Sequence, residues 1–512
     1  MISLNSIPQP LDHLALRGEG SASALLLREE SLSYDTLNLR IGLLAHWLTI
    51  NGLAHGDRVA TWLPKNETTC LMPLAAARAG LVHVPVNPVL KRAQVAHILA
   101  DSGAKLLITN RSRIMSLTPG DAPDSCAVIE DDAAMTAWKA GATAMAPSAH
   151  DPDDLAAILY TSGSTGKPKG VMLSHANMWL GAISVAAYLA LEPSDRTLCV
   201  LPLSFDYGQN QLLSTWAAGG AAAPLDYLMP RDVIKSCARH GITTLAAVPP
   251  LWTQLVEIEW PADVTATMRR LTNSGGALSP ALVRQLRGIF PETRIFAMYG
   301  LTEAFRSTYL DPALIDGNPT SIGQAIPFAE ILVVNDAGED AAPGEEGELV
   351  HAGPLVAQGY WQDAERTAER FKPAPAFSSH GGMAVWSGDR VRRDEQGLLY
   401  FVGRRDAMIK SSGNRISPAE IEDAATSTGL AAEAVALGVS DPQLGQAILL
   451  LIRPAQVAQP AQLVDDLMIA LKRELPAYML PRTVELHESF PKNPNGKIDR
   501  AMLVAQIEDR FA

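Results

Sequence analysis

Apolar and polar positions along the first 110 residues switch between two periods. Residues 35–53, 66–80 and 91–102 place apolar side chains at helical spacing, while 57–64, 81–88 and 104–109 are short apolar runs bounded by Gly or Pro. Strand-length runs separated by helix-length segments imply right-handed crossovers and a mostly parallel sheet covered on both faces. The alternation returns after a polar stretch around 118–153, with helical patterns at 231–240 and 279–289 and strands at 242–248 and 294–299. This predicts two similar α/β units in tandem. Beyond about residue 320 the apolar runs become short and glycine-punctuated, as at 348–351 and 398–402, and predict an antiparallel or barrel-like segment. A small α+β unit follows, in which Ser417 caps a helix reaching Thr426, with Pro418 in its first turn and Glu420 three residues after the cap. The expected fold class is α/β: a large N-terminal domain (1–403) of two doubly wound subdomains plus a barrel-like β segment, a boundary at 404–407, and a small α+β C-terminal domain (408–512).

Length agrees with more than one core, since 512 residues are about three times a usual single domain. Charge narrows the partners. The 42 Lys+Arg against 55 Asp+Glu leave a net charge of -13, the wrong sign for neutralising nucleic-acid phosphates, so no nucleic-acid partner is expected. The longest apolar run, 179–191, is too short for a bilayer, and residues 1–16 lack the basic flank and cleavage site of a secretory signal. A cytoplasmic protein with no membrane span is therefore expected. Cys70, Cys126, Cys199 and Cys237 are widely spaced, with no CxxC pair or matching His, which predicts buried thiols rather than a zinc site or disulfides.

The densest chemical signal is YTSGSTGKPKG at 160–170, set between a strand at 155–160 and a second strand opening at Val171. Gly163, Gly166 and Gly170 let successive N–H groups converge, while Thr161, Ser162, Ser164, Thr165 and Lys167 or Lys169 add donors and charge, which makes a polyphosphate cradle. It is not a Walker A loop, because only two residues separate Gly163 from Gly166-Lys167 and no helix follows directly. A P-loop kinase or ATPase is disfavoured for that reason.

Further motifs follow in order: NSGGAL at 273–278, YGLTE at 299–303, GEL at 347–349, SGD at 387–389, GRRDAMIKSSGNRISPAEIE at 403–422 and PKNPNGKIDR at 491–500. Together with the Gly-rich loop they resemble, over nearly the whole chain, the AMP-forming adenylate-forming ligases: acyl-CoA synthetases, amino-acid adenylation enzymes and luciferases. The resemblance implies ATP and Mg²⁺ as cofactors, an acyl-adenylate intermediate, and CoA or phosphopantetheine as the thiol acceptor. It implies that Lys497 bridges the substrate carboxylate and the α-phosphate, where charge redistributes in the transition state. It further implies that Glu303 holds Mg²⁺ and Thr302 contacts the α-phosphate. Tyr299 would stack on adenine, with Gly275, Gly276, Ala277 and Gly300 letting the backbone approach, and Asp389 and Arg404 would bind the ribose. Asp406 matches the hinge about which the small domain turns, exchanging Lys497 for the stretch around Lys410 to Gly413, where pantetheine enters. Two positions depart from the pattern: Asn414 stands where many relatives carry an aromatic, and Ser387 where Thr is common.

The acid is the harder half. In SFDYGQ at 204–209, Phe205-Asp206 resembles the pair by which amino-acid-activating members anchor the substrate ammonium, and a buried carboxylate needs a cationic partner. Arg306 is a rival partner, able to neutralise Asp206 or to grip a second carboxylate on the substrate. Tyr207, Asn210 and Met298 complete the expected pocket. A closer likeness, carried by FDYG, AAVPPLW at 246–252, YGLTEAFRSTYL at 299–310, and VWSGD and FVGRRDAMIK around 385–410, is to AMP-forming acyl-CoA ligases associated with bacterial exosortase A systems. An acyl-CoA ligase is therefore the first reading. Amino-acid activation with loading of an acyl or peptidyl carrier protein is the alternative. A catalytically dead relative should have lost Lys497, Glu303 or Asp389, and all three are present.

Overall fold

Two sheets carry the large domain in the computed structural model, which describes residues 4–161, 168–404, 408–411, 414–441, 444–455, 462–475 and 477–511. In the first sheet the strands Leu155–Thr161, Val82–Pro85, Arg58–Trp62, Leu106–Thr109 and Ala127–Glu130 lie side by side and parallel. The near-continuous burial of Val82–Pro85, Arg58–Trp62 and Leu106–Thr109 explains why they read as unbroken apolar runs rather than as alternating ones, whereas Ala127–Glu130 is partly exposed and lies within the stretch read as polar. The Gly-rich segment leaves Leu155–Thr161 and returns antiparallel as Lys169–Ser174, two residues earlier than expected, because Thr161 pairs with Lys169 across the hairpin. Gly359–Tyr360 closes this edge antiparallel to Lys169–Ser174.

The second sheet runs parallel through Ser23–Leu26, Ala221–Pro224, Arg196–Cys199, Thr244–Ala247, Arg270–Asn273 and Arg294–Tyr299. The two units are thus interleaved rather than strictly in tandem: Ser23–Leu26 precedes the whole first sheet yet pairs with Ala221–Pro224, through Leu25 opposite Ala222. A strand of four residues cannot announce its sheet. Burial decides its place, because Ala24 and Leu25 join an apolar core that extends from Val59 and Leu159 in one sheet to Leu198 and Leu245 in the other. The helices Glu67–Arg78, His175–Tyr188 and Asp206–Ala217, almost wholly buried, belong to this core. The long apolar run thus covers a core helix, and no helix among the described residues is long and apolar enough to cross a membrane. All four cysteines are buried and free.

Past Arg294–Tyr299 the sheet continues antiparallel through Thr308–Tyr309, Ser321–Ala325, Leu399–Arg404, Met383–Arg393, Glu346–Ala352 and Glu330–Val334. After Arg404 the chain enters a separate sheet of Asn414–Ile416, Ile409–Ser411, Gly445–Pro454, Ala431–Asp441 and Thr483–Leu486. Its central strand Gly445–Pro454 is buried on both faces, with Leu449 and Leu451 in one apolar cluster and Ile448, Leu450 and Ile452 in the other, as a period of two requires. Ser417 Oγ accepts from the Glu420 N–H and donates to the Val402 carbonyl, so the cap of Pro418–Ser427 also ties the small domain to the large one.

Candidate functional site

Three neighbouring parallel strands, Thr244–Ala247, Arg270–Asn273 and Arg294–Tyr299, end at one edge, and the loops that follow them meet there. Such carboxyl ends are where open α/β sheets hold ligands. The C-terminal turn around Lys497 lies on this edge. Asn493 Oδ1 accepts from the N–H groups of Asn495 (3.0 Å) and Lys497 (3.1 Å), and the Asn493 N–H donates to the Lys497 carbonyl (2.7 Å), with Gly496 at φ +80. Asn87 Nδ2 donates to the Pro494 carbonyl (2.8 Å), which fastens the turn to the large domain. The ammonium of Lys497 stands 4.8 Å above the centre of the Phe205 ring. Gly275, at φ +82, makes room for it: an added Cβ would lie 2.3 Å from Lys497 Cε. Enclosure lowers the Lys497 pKa, with Asp206 opposing the shift and Arg306 adding to it.

Asp206 opens the helix Asp206–Ala217 and is 3% exposed. Thr302 donates to its Oδ1 (3.1 Å), and burial raises its pKa against the pull of Arg306 and Lys497. Among the described residues Asp206 has no ion pair within 4.0 Å. Arg306 instead donates to Ser274 Oγ (2.8 Å) and lies 4.6 Å over the Tyr207 ring, whose hydroxyl hydrogen-bonds with that of Thr272 (2.7 Å). Arg306 is aimed by an unusual turn. Phe305 has φ +59 and ψ -49, and the Arg306 N–H donates to the Ala304 carbonyl (2.6 Å), a strained γ-turn. Gly181 lets the fully buried Phe305 ring sit there, since a Cβ on Gly181 would fall 2.2 Å from Phe305 Cδ1. Tyr207, Asn210, Met298 and Arg306 all line a narrow cavity of about 20 Å³. Met298 accepts at sulfur from the Tyr188 hydroxyl (2.9 Å).

Glu303, 7% exposed, is held by two side chains at one oxygen: Lys169 Nζ at 3.1 Å and the Tyr360 hydroxyl at 2.6 Å. Burial pushes this carboxyl up, but Lys169 and Tyr360 outweigh it and leave its pKa below the usual range. Both bonds fall on Oε1, which leaves Oε2 outside them, and a hard carboxylate oxygen suits Mg²⁺ shared with phosphate oxygens. Lys169 is thus tied to Glu303 in this arrangement rather than free in the cradle. Thr161, at the last position before the loop, has a buried hydroxyl with no partner. On the opposite flank Asp389 accepts from the Tyr299 hydroxyl (2.5 Å) and pairs with the half-exposed Arg404 (3.4 Å). Burial, then Asp389, raises the Tyr299 pKa. The Ser387 hydroxyl donates to the Leu349 carbonyl (2.6 Å) and accepts from the Asp389 N–H (3.1 Å), so serine supplies the hydroxyl that threonine would. Gly276 and Ala277 are exposed on the 274–278 loop, and Gly300 approaches Arg306, its added Cβ lying 3.0 Å from Arg306 Cα.

Ser162, Gly163, Ser164, Thr165, Gly166, Lys167, Asp406 and Gly413 lie outside the described residues, as does the Lys410 side chain, whose backbone is in the strand Ile409–Ser411. Sequence reasoning missed Tyr360, Asn87, Ser274 and Gln211. Tyr360 had a weak signal, an aromatic pair after glycine at 359–361, but its partner Glu303 is 57 residues away.

Comparison with known proteins decides what this arrangement belongs to. The model of the AMP-binding enzyme family matches residues 11–361, and that of the AMP-binding enzyme C-terminal domain matches 420–497. The chain belongs to the AMP-binding enzyme family. Within this family it is an adenylate-forming ligase, similar to the L-proline–[L-prolyl-carrier protein] ligase of Pseudomonas fluorescens, at 31% identity over 95% of this chain and 96% of that one. It is also similar to the feruloyl-CoA synthase of an Amycolatopsis species, 30% identical over 94% of each. Among solved structures, ATP-bound MatB from Rhodopseudomonas palustris superposes with a TM-score of 0.88 at 25% identity, covering 99% of this chain and all of that one. The α/β fold class and the large and small domains expected from the sequence are those of this family of AMP-binding enzymes.

Proposed function

We propose that this ligase uses ATP and Mg²⁺ to convert a carboxylic acid to its acyl-adenylate and then transfers the acyl group to the thiol of CoA. The observation that carries the reading is the insertion of Lys497, from the small domain, beside Phe205, Asp206 and Gly275 of the large one. A carboxylate oxygen of the acid attacks the α-phosphorus, a new P–O bond forms, and the bond to pyrophosphate breaks. The two reactants are anions, and the half-buried Lys497 ammonium offsets their repulsion as charge builds in the transition state. Mg²⁺ held by Glu303 would neutralise the departing phosphates. Asp389 and Arg404 orient the ribose, Tyr299 the base, and the 160–170 loop the polyphosphate. In the second step the thiolate attacks the acyl carbon, a C–S bond forms, and AMP leaves with the electron pair of the C–O bond.

The position of Lys497 beside Asp206 and Gly275 supports its use in the first step. For the second, the small domain turns about residues 404–407, with Asp406 as pivot, withdrawing Lys497 and bringing the Lys410–Gly413 stretch toward the pantetheine arm. The relative named as a feruloyl-CoA synthase supports CoA as acceptor. A second reading, an amino acid loaded on a carrier protein, is favoured by Asp206, which is buried with a hydroxyl but, among the described residues, no cation within ion-pair distance, and by the relative named as a prolyl-carrier ligase.

The test is single-turnover pyrophosphate release with ATP and Mg²⁺ over amino, fatty, aromatic and dicarboxylic acids without thiol, followed by CoA or a phosphopantetheinylated carrier. Lys497→Ala is expected to slow adenylation strongly while sparing thioester formation from supplied acyl-adenylate. Equal loss in both half-reactions refutes the role.

A further inference from the structure

The acid cavity holds more polar atoms than its own walls satisfy. Both amide atoms of Asn210 and of Gln211, the Thr244 hydroxyl and Arg306 Nε are buried without a hydrogen-bond partner, and all four residues line the cavity. Their exposures are 2%, 4%, 2% and 2% respectively, so open solvent does not serve them. A few unpaired buried polar groups are ordinary across a whole protein, but a cluster around one cavity marks a place built for a polar occupant. A hydrocarbon tail packed against these walls would strand every one of these atoms, at a cost of about 1–3 kcal/mol each.

Helix geometry places the polar group along the acid. Asp206 stands at the mouth beside Thr302 and Lys497, and Asn210 follows four residues later on the same helix, about 6 Å deeper at 1.5 Å per residue. That is a span of roughly four bonds from the reacting carboxyl. Near the mouth Asp206 is under the electrostatic pull of both Arg306 and Lys497, and the substrate carboxylate would oppose Lys497. Two carboxamides and a threonine hydroxyl offer donors and acceptors together, which a neutral group with both functions satisfies better than a carboxylate does.

We infer that the acid substrate carries a neutral hydrogen-bonding group, a carboxamide or hydroxyl, about four bonds beyond its carboxyl, read by Asn210, Gln211, Thr244 and Arg306. This rests on the adenylation reading above and deepens it to a substrate class. A site built to hydrogen-bond a polar group rejects the analogue that lacks it far more strongly than an apolar pocket rejects an extra hydroxyl.

The test pairs isosteric acids: glutamine against 2-amino-5-methylhexanoic acid, glutaramic acid against 5-methylhexanoic acid, and 5-hydroxypentanoic against hexanoic acid, with glutaric acid as the charged control. The polar neutral member of at least one pair is expected to exceed its hydrocarbon isostere by about 10²-fold or more in kcat/KM for pyrophosphate release. The double variant Asn210→Leu, Gln211→Leu is expected to reverse that preference while retaining a folded melting transition. Hydrocarbon acids that react as well as the polar ones, glutaric acid outpacing glutaramic acid, or an unchanged preference in the variant would each overturn the inference and leave adenylation standing. If no acid of the set releases pyrophosphate, adenylation of this class is what fails, and thermal stabilisation by saturating acid decides the pocket: greater stabilisation by the polar members supports the inference, and equal or no stabilisation overturns it.

Discussion

Replacing Gly275 by alanine tests how closely the small domain's lysine fits the large domain. Two separable effects are expected. The backbone at φ +82 suits glycine, and an alanine there costs about 1–2 kcal/mol of stability. The new Cβ would also fall 2.3 Å from Lys497 Cε, whereas ordinary contacts begin at 3.4 Å, so the lysine must retreat by about 1 Å. A displacement of that size at a reacting centre costs roughly 10²-fold in rate, equivalent to about 2.7 kcal/mol. Adenylation should therefore fall about 10²-fold in a single-turnover pyrophosphate assay, while thioester formation from supplied acyl-adenylate, which does not use Lys497, stays within a few-fold of the parent. Gly338→Ala supplies the control, because Gly338 has φ +85 with nothing within 4 Å of an added Cβ. It should show the stability loss without the kinetic one. Gly275→Ala adenylating at the parental rate, or losing both half-reactions equally, would refute the claim that Lys497 acts from the position seen here.

Asn87→Ala removes the hydrogen bond to the Pro494 carbonyl that docks the Lys497 turn, and a net loss of about 1 kcal/mol should slow adenylation roughly five-fold with the thiol step unchanged; equal slowing of both would show a merely structural role. Lys169→Met leaves Glu303 buried without its cation, which should cost about 3–5 kcal/mol in the free protein and be partly restored by Mg-ATP in a thermal melt; no restoration would remove Glu303 from the metal role. Gly181→Ala drives a methyl into the Phe305 ring that holds the strained turn before Arg306, so about 1–3 kcal/mol of stability should be lost together with acid selectivity, read as a change in KM ratios. His83 and His351 are buried and pushed down to about 3 by that burial, while the unfolded chain takes up their protons near 6.5. The unfolded state thus binds more protons between those values, and stability should fall on acidification from pH 6.5 toward 3 by up to about 1.4 kcal/mol per pH unit for each histidine. Urea unfolding of His83→Gln should show a shallower slope over that window; an unchanged slope would refute the assignment.

Periods and punctuation carried the local architecture. The helices at 34–50, 67–78 and 280–289 and the strand Arg294–Tyr299 lie where apolar spacing put them, because each needs only its own residues to show an apolar stripe or run. The residue types proposed for the site stand in short segments too: a Gly-rich loop read as a polyphosphate cradle, a carboxylate read as a cation ligand and a lysine on a Pro-Asn-Gly turn. The pairing of those segments was not. Ser23–Leu26 joined the second sheet across nearly 200 residues, Asn87 reached Pro494 across 407, and Tyr360 reached Glu303 across 57, and no local pattern records a partner at such distances. The sequence left Asp206 open to either Arg306 or a substrate ammonium. The tertiary structure turned Arg306 toward Ser274 and Tyr207 through the strained turn at Phe305, and gave Asp206 a hydroxyl from Thr302 instead. The order of residue types thus determined which chemistry the chain can perform, while burial and long-range packing decided which groups face one another and which polar atoms line the cavity.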